Sequence, residues 1–359
     1  MRILFVRLSS FGDIVFALPA AKALRTNLAG AHLTWAIEPP LAPLVAGAAY
    51  VDDVMPVDTR GWRRAWHAAK TKREISEFLR RSRGGGRAFD LVVDAQGLFK
   101  SAIVTAAASS AGRRVGFGWR TATERINCIF TNEHVDVDRA SRPHVADQML
   151  ALAEHVTGKT GFDRTPDVRH LVEREDPDVD EWLERFGSRP FAVLQPFSSK
   201  VNKELAGRDV VAFAEWLKEE GIQPVLRWGP GEESRADALI TLSKQSSSWS
   251  PSPSSSLSPS FSSSTLSLPL LLAPPTSPAS SARLASRAAL FVGADTGPTH
   301  LAAAAGTPTL VLFGPTPVER FGPIGPRTAA LRESPADYNR SGPKWPADAV
   351  HEAVRRLLA

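Results

Sequence analysis

Short, nearly uninterrupted apolar runs alternate along this chain with longer segments of helical character. Ile3 to Leu8 is a run of strand length, Ser9 to Asp13 reads as a turn, and Ile14 to Asn27 as a helix ending at Gly30. Leu33 to Ile37 predicts a second strand and Val51 to Val57 a third. Trp62 to Arg81 carries helix formers and many charges before Gly84-Gly85-Gly86 interrupts it. Leu91 to Val93 is a strand of buried type feeding Gly97, with a helix following from Leu98 to Ala108. Alternating strand and helix signals of this kind build a parallel sheet covered by helices.

The second half repeats the plan. Strands are expected at Phe191 to Leu194, Pro224 to Trp228, Leu290 to Gly293 and Thr309 to Phe313, and helices at Val210 to Glu220 and Thr299 to Ala305. Gly161 to Pro177 is a polar stretch that suits a boundary, giving domains at 1–165 and 175–345, followed by an amphipathic helix over 346–359. The fold class expected is α/β, with two such domains facing a central cleft.

One segment breaks the pattern. No charged residue occurs between Lys244 and Arg283, and 14 of the 24 residues from Ser246 to Pro269 are serine. Such a tract has no core-forming periodicity, so disorder is expected over 246–270. It reads either as a surface insertion or as a local reading-frame error, the latter preferred because ordinary sequence resumes near Ala273. One uninterrupted reading frame in the transcript would remove the second reading.

Composition narrows the classes. At 359 residues the chain suits two domains rather than one core. A formal net charge of +5 favours anionic or phosphorylated partners without choosing among them. Cys128 is the one cysteine, which rules out an internal disulfide and points to a reducing compartment. Met1 runs directly into a strand, which argues against a signal peptide, and no apolar run reaches the roughly 18 residues of a membrane span. The expected location is the cytoplasm.

The chemistry gathers where strands give way to helices. In Asp295-Thr-Gly-Pro-Thr-His300 a strand ends, a tight turn follows, and Pro298 sits where a first helical turn tolerates proline. Free amides around Thr296, Gly297 and Thr299 at the positive end of a helix make a pyrophosphate site, with His300 in reach of a phosphate oxygen. A capped helix without a ligand accounts for the same residues equally well. Ser9-Ser10-Phe11-Gly12-Asp13 is a similar junction: Gly12 allows close approach, and Asp13 serves either as a general base on a hydroxyl or as a helix cap. Asp94-Ala-Gln96-Gly97-Leu-Phe-Lys100-Ser is a third, offering Asp94 and Gln96 to hydroxyls and Lys100 to an anion.

Arg60-Gly-Trp-Arg63-Arg64-Ala-Trp66 joins arginine forks to indoles, which suit an anionic sugar or a headgroup zone but equally a solvated helix. In Arg227-Trp-Gly-Pro-Gly-Glu232-Glu233 an acid is placed to accept from ribose hydroxyls or to face water. Asp136-Val-Asp138 and Asp178-Val-Asp180 spell a metal-binding pattern but lie in charged stretches that read as loops. The histidines lack ligand spacing, so no metal and no cofactor is expected. Neither a Walker A nor a Gly-x-Gly-x-x-Gly motif occurs, against kinases and dehydrogenases.

Taken together, the blocks ending at Asp13, Ser101 and His300 resemble, in order and spacing, the lipopolysaccharide heptosyltransferases of glycosyltransferase family 9. Arg60 to Trp66 and Trp228-Gly are most like the type I members, which add the first heptose to Kdo of the inner core. The resemblance spans the chain apart from the serine tract. It implies a GT-B fold of two Rossmann-like domains, the first binding the acceptor and the second ADP-heptose, with the last helix packing back onto the first domain. It also implies a metal-independent inverting transfer with Asp13 as base. Ser10, Gly12, Arg60, Arg63, Arg64, Asp94, Gln96, Gly97 and Lys100 would then serve the acceptor, Kdo-lipid A. Asp295, Thr296, Gly297, Pro298, Thr299 and His300 would serve the donor, with Glu232 on the ribose.

Val201-Asn-Lys203 matches the family's Asn-Lys element and makes Lys203 the phosphate lysine, but the flanking residues depart from the pattern and Lys200 remains a rival. The acceptor places the enzyme peripherally at the cytoplasmic face of the inner membrane, with no nucleic acid as partner. Acceptor specificity of type II or III, a GT-B nucleotide-sugar epimerase or hydrolase, and an inactive nucleotide-binding product of a damaged gene are the alternatives.

Overall fold

A computed structural model describes residues 1–65, 67–82, 88–108, 111–184, 186–246, 269–333 and 346–359. Gly84 to Gly86, Trp66 and residues 247–268 of the serine tract lie outside that set. The chain divides into two compact units, Met1–His170 with Glu319–Phe321, and Leu171–Val318 with Gly322–Ala359.

The first unit holds β1 (Arg2–Val6), β2 (His32–Ile37), β3 (Asp53–Pro56), β4 (Leu91–Asp94), β5 (Arg113–Phe117) and β6 (Glu133–Val135). They pair in the order β3-β2-β1-β4-β5-β6, every neighbour parallel. The apolar runs explain this: Ile3, Leu4, Phe5, Leu33, Trp35, Val92 and Val93 are buried on both faces, and Phe5 meets Trp35 edge-on at 4.7 Å. The helix expected over Trp62 to Arg81 is two, Thr59–Arg64 and Ala69–Ser82. The Asp58 carboxylate caps the first by accepting from the Gly61 amide at 2.8 Å, and Ala65 leaves helical geometry with φ −129°.

The second unit holds β7 (Phe191–Gln195), β8 (Gln223–Leu226), β9 (Leu271–Leu272), β10 (Leu290–Ala294), β11 (Thr309–Phe313) and β12 (Thr328–Arg332). Their order, β12-β11-β10-β7-β8-β9, is the same 3-2-1-4-5-6 arrangement counted within the unit, again all parallel. In each sheet the order reverses beside the first strand, so the switch point lies between β1 and β4 and between β7 and β10. Open α/β sheets bind ligands at the carboxyl ends of those strands. Leu270 is fully buried and Leu271–Leu272 pairs with β8, so ordinary core-forming sequence resumes before Ala273.

The last helix, Ala347–Leu358, packs on the second unit's own sheet. Val350, Val354 and Leu357 form an i, i+4, i+7 stripe within that core, and Arg355 pairs with Glu220 at 2.7 Å.

Candidate functional site

Asp13 is the third residue of the helix Phe11–Asn27, capped by Ser10 just beyond the end of β1. A carboxylate in a first turn faces the positive end of the helix. Its Oδ2 accepts from Arg7 Nη2 at 2.9 Å, from the Ser10 amide at 3.1 Å and from the Ser10 hydroxyl at 2.8 Å. Among the described residues Oδ1 accepts nothing, and the side chain keeps 24% exposure. Burial works to raise the Asp13 pKa, but the Arg7 charge and the Ser10 and Arg7 hydrogen bonds outweigh it. The carboxyl therefore sits below its ordinary value and is ionised at neutral pH. Gly12 lies in the same first turn, half-buried.

Asp94, expected to offer its carboxylate to a ligand hydroxyl, is instead engaged by groups of the protein itself. It is 0% exposed, and its two oxygens accept four hydrogen bonds, from the Gln96 and Gly97 amides, Asn127 Nδ2 and Thr105 Oγ1. With its acceptor sites filled inside the protein, it shapes the turn after β4. Gly97 takes the left-handed φ of 67° that this turn requires. Gln96 is also turned inward, its Oε1 accepting from the Leu8 amide at 2.9 Å and so tying the ends of β1 and β4 together.

Lys100 is not free to hold an anion alone. Its ammonium donates to the Ser9 hydroxyl and to Glu38 Oε1, the latter at 3.0 Å, while Arg60 Nε stands 3.7 Å from Glu38 Oε2. Glu38 is a buried acid that the sequence reading passed over. The available signal was its position immediately after the apolar run ending at Ile37, on the same sheet edge. Arg60, Arg63 and Arg64 are exposed in the helix Thr59–Arg64.

In the second unit, Asp295 follows β10 and Thr296 caps the helix Gly297–Ala304. The Gly297 and Thr299 amides precede the first intrahelical bond, from His300 N to Thr296 O at 3.2 Å, and Pro298 has no N–H to give. Two donors at the positive helix end are thus left for a ligand. Gly293 admits this turn by its lack of a side chain, since a Cβ there would lie 2.5 Å from Thr299 Oγ1 and 2.9 Å from Gln195 Cβ.

Asp295 and His300 differ from their expected roles. The Asp295 side chain is 6% exposed, with Oδ1 on His300 Nε2 at 2.9 Å and Oδ2 accepting from Lys203 Nζ at 2.5 Å. Burial opposes its ionisation, but the hydrogen bonds and charges of His300 and Lys203 prevail and bring its pKa down to about 2. His300, buried, thus turns Nε2 to Asp295, and the pair aims Lys203 beside the helix start. Lys200 is exposed, whereas Lys203 is half-buried with its ammonium held by Asp295. Glu232 is half-buried, its Oε2 accepting from the Gly229 amide at 2.8 Å.

Three of the four aspartates of the Asp-x-Asp pairs are engaged locally. Asp136 accepts from the Arg120 amide, Asp138 from those of Ala140 and Ser141, and Asp180 pairs with Arg283. Among the described residues no three His, Cys, Asp or Glu side chains gather as a metal ion would need.

Two units with the same doubly wound strand order, one edge carrying an open carboxylate and the other a helix start beside a held lysine, define a GT-B glycosyltransferase. Residues 80–341 match the profile of glycosyltransferase family 9 (heptosyltransferase), and the chain belongs to that family. It is 29% identical over 339 residues to lipopolysaccharide heptosyltransferase 1 of Salmonella typhimurium, covering 90% of this chain and 92% of that one. Its fold aligns with E. coli heptosyltransferase WaaC with ADP at a TM-score of 0.78 and 25% identity, covering 99% and 100% of the two chains. The same enzyme with ADP-2-deoxy-2-fluoro heptose aligns at 0.75 and 26% identity, over 99% of each chain.

Proposed function

We propose that the protein transfers L-glycero-D-manno-heptose from ADP-heptose to Kdo of the lipopolysaccharide inner core, with inversion at the anomeric carbon. The observation that carries this reading is the asymmetry of Asp13. Arg7 and Ser10 hold Oδ2 and keep the group ionised, while Oδ1 is left to accept a proton. A carboxylate held below its ordinary pKa is a weak base toward a free hydroxyl. Proton transfer therefore accompanies bond formation, when the attacking hydroxyl becomes strongly acidic. As the Kdo oxygen bonds to the anomeric carbon, the bond from that carbon to the β-phosphate oxygen breaks and its electron pair leaves with ADP. The centre passes through an oxocarbenium-like state.

The negative charge growing on ADP falls to Lys203 and to the Gly297 and Thr299 amides, with Asp295 and His300 positioning the lysine. Glu232 is the candidate for the ribose hydroxyls, and Arg60, Arg63 and Arg64 for the anionic acceptor, Kdo-lipid A. Among the described residues no helix is long and apolar enough to cross a membrane. The proposed acceptor, a glycolipid, puts this work peripherally at the cytoplasmic face of the inner membrane.

Incubation with ADP-heptose, with and without Kdo-lipid A, and mass spectrometry of the products tests the reading. A lipid heavier by one heptose is expected, only when acceptor is present. Turnover of ADP-heptose independent of acceptor would replace transfer with hydrolysis or epimerisation.

A further inference from the structure

The mechanism leaves unused one buried cation on the second unit's ligand-binding edge. Arg227 follows β8, is 5% exposed, and donates from Nη1 to Gln195 Oε1 at 2.9 Å. Its Nε is buried with no hydrogen-bond partner. The carboxylate acting on it through space, Glu232, already accepts from the Gly229 amide. Burial lowers the Arg227 pKa to about 10, which leaves the guanidinium charged at neutral pH.

A buried charge without a close counter-ion is costly, as a broken buried ion pair is. Its position suggests what offsets the cost. Gln195 ends β7 and packs against Gly293, the residue on which Thr299 also presses, so contact runs from Arg227 through Gln195 to the turn that opens the phosphate-binding helix. Gln195 cannot swing away to the ligand: it is 1% exposed and its Nε2 donates to Phe197 O at 3.0 Å.

We propose that Arg227 is a positioning residue for the donor's diphosphate, supplying buried positive charge beside the helix start and fixing Gln195 against it, without touching the ligand. The inference rests on the reading of the second unit as the ADP-sugar site. A charge in such surroundings is weakly screened, so it favours a dianionic or trianionic ligand over a neutral one.

The test is calorimetric binding of ADP, inorganic pyrophosphate and adenosine to the full chain and two charge-removing variants, with Arg227→Lys as the rescue. Arg227→Met removes the charge at similar length. Arg227→Gln removes the charge but keeps a donor toward Gln195, so it serves even where Arg227→Met fails to fold. Each variant should weaken ADP and pyrophosphate by about ten-fold and leave adenosine within about two-fold, while Arg227→Lys recovers most of the loss. Variants that bind ADP like the wild type overturn the inference and leave the donor site standing. Equal losses for adenosine and ADP, without rescue by lysine, make Arg227 merely structural. A wild type that binds pyrophosphate but not ADP, with the same loss in the variants, overturns the ADP reading and keeps the role of Arg227. Binding of neither overturns both.

Discussion

The two sheets repeat one strand order, and each places an aspartate held by a cation just past a strand at its switch point, yet the two carboxylates are built for different work. Asp13 has three partners on one oxygen, none on the other, and 24% exposure. Asp295 has partners on both oxygens and 6% exposure. On the proposed mechanism the first accepts a proton, while the second holds Lys203 and His300 in place. A carboxylate's role on such an edge is therefore set by which of its oxygens the protein has already filled. Asp94, filled on both, belongs with Asp295.

Substitutions at the two edges should separate along this line. Asp13→Ala should lower kcat by about 10²–10⁴-fold, the range for loss of a general base, with ADP affinity near normal. Because its pKa lies below the usual carboxylate value, the wild-type rate should show no acid limb from this group until the pH is below about 4. Lys203→Ala should weaken ADP by about ten- to a hundred-fold in calorimetry, as loss of a charge-assisted contact does, whereas Lys200→Ala should change it less than about two-fold.

Asp295→Asn should cost about 2 kcal/mol of stability at neutral pH, as measured by urea unfolding. The sign follows from the depressed pKa: the ionised group stabilises the folded state above its unfolded value near 4. The variant's deficit should shrink as pH falls through that value toward about 2. The smallest effect is expected at the exposed arginines, where Arg63→Ala with Arg64→Ala should raise KM for the anionic lipid by a few-fold at nearly constant kcat. An unchanged KM returns them to a solvated helix face.

Much of this was legible beforehand, and the reason is physical. Parallel strands buried on both faces are apolar runs, so β1, β2, β4, β7, β8, β10 and β11 stood out. β5 opens with two arginines, β6 is a three-residue edge strand beginning with glutamate, and β9 is two residues at the end of the serine tract. The helix Val145–Thr157 lacked a start signal because its cap is His144, whose ring accepts from the Ala146 amide, not a serine or aspartate.

At the site, the junction holding Asp13 was readable as strand, turn and helix. Asp94 was misread because a polar residue closing a buried strand looks alike whether it faces a ligand or a partner 33 residues away such as Asn127. Glu38 and the isolation of Arg227 depend on long-range contacts that spacing along the chain does not encode.

The comparison is tested most directly by Asp13→Asn and Asp295→Asn assayed side by side, with heptosylated lipid measured by mass spectrometry and ADP binding by calorimetry. The account predicts that Asp13→Asn binds ADP within about two-fold of wild type and makes almost no product, while Asp295→Asn loses ADP affinity. Product formation by Asp13→Asn within a few-fold of wild type would contradict it.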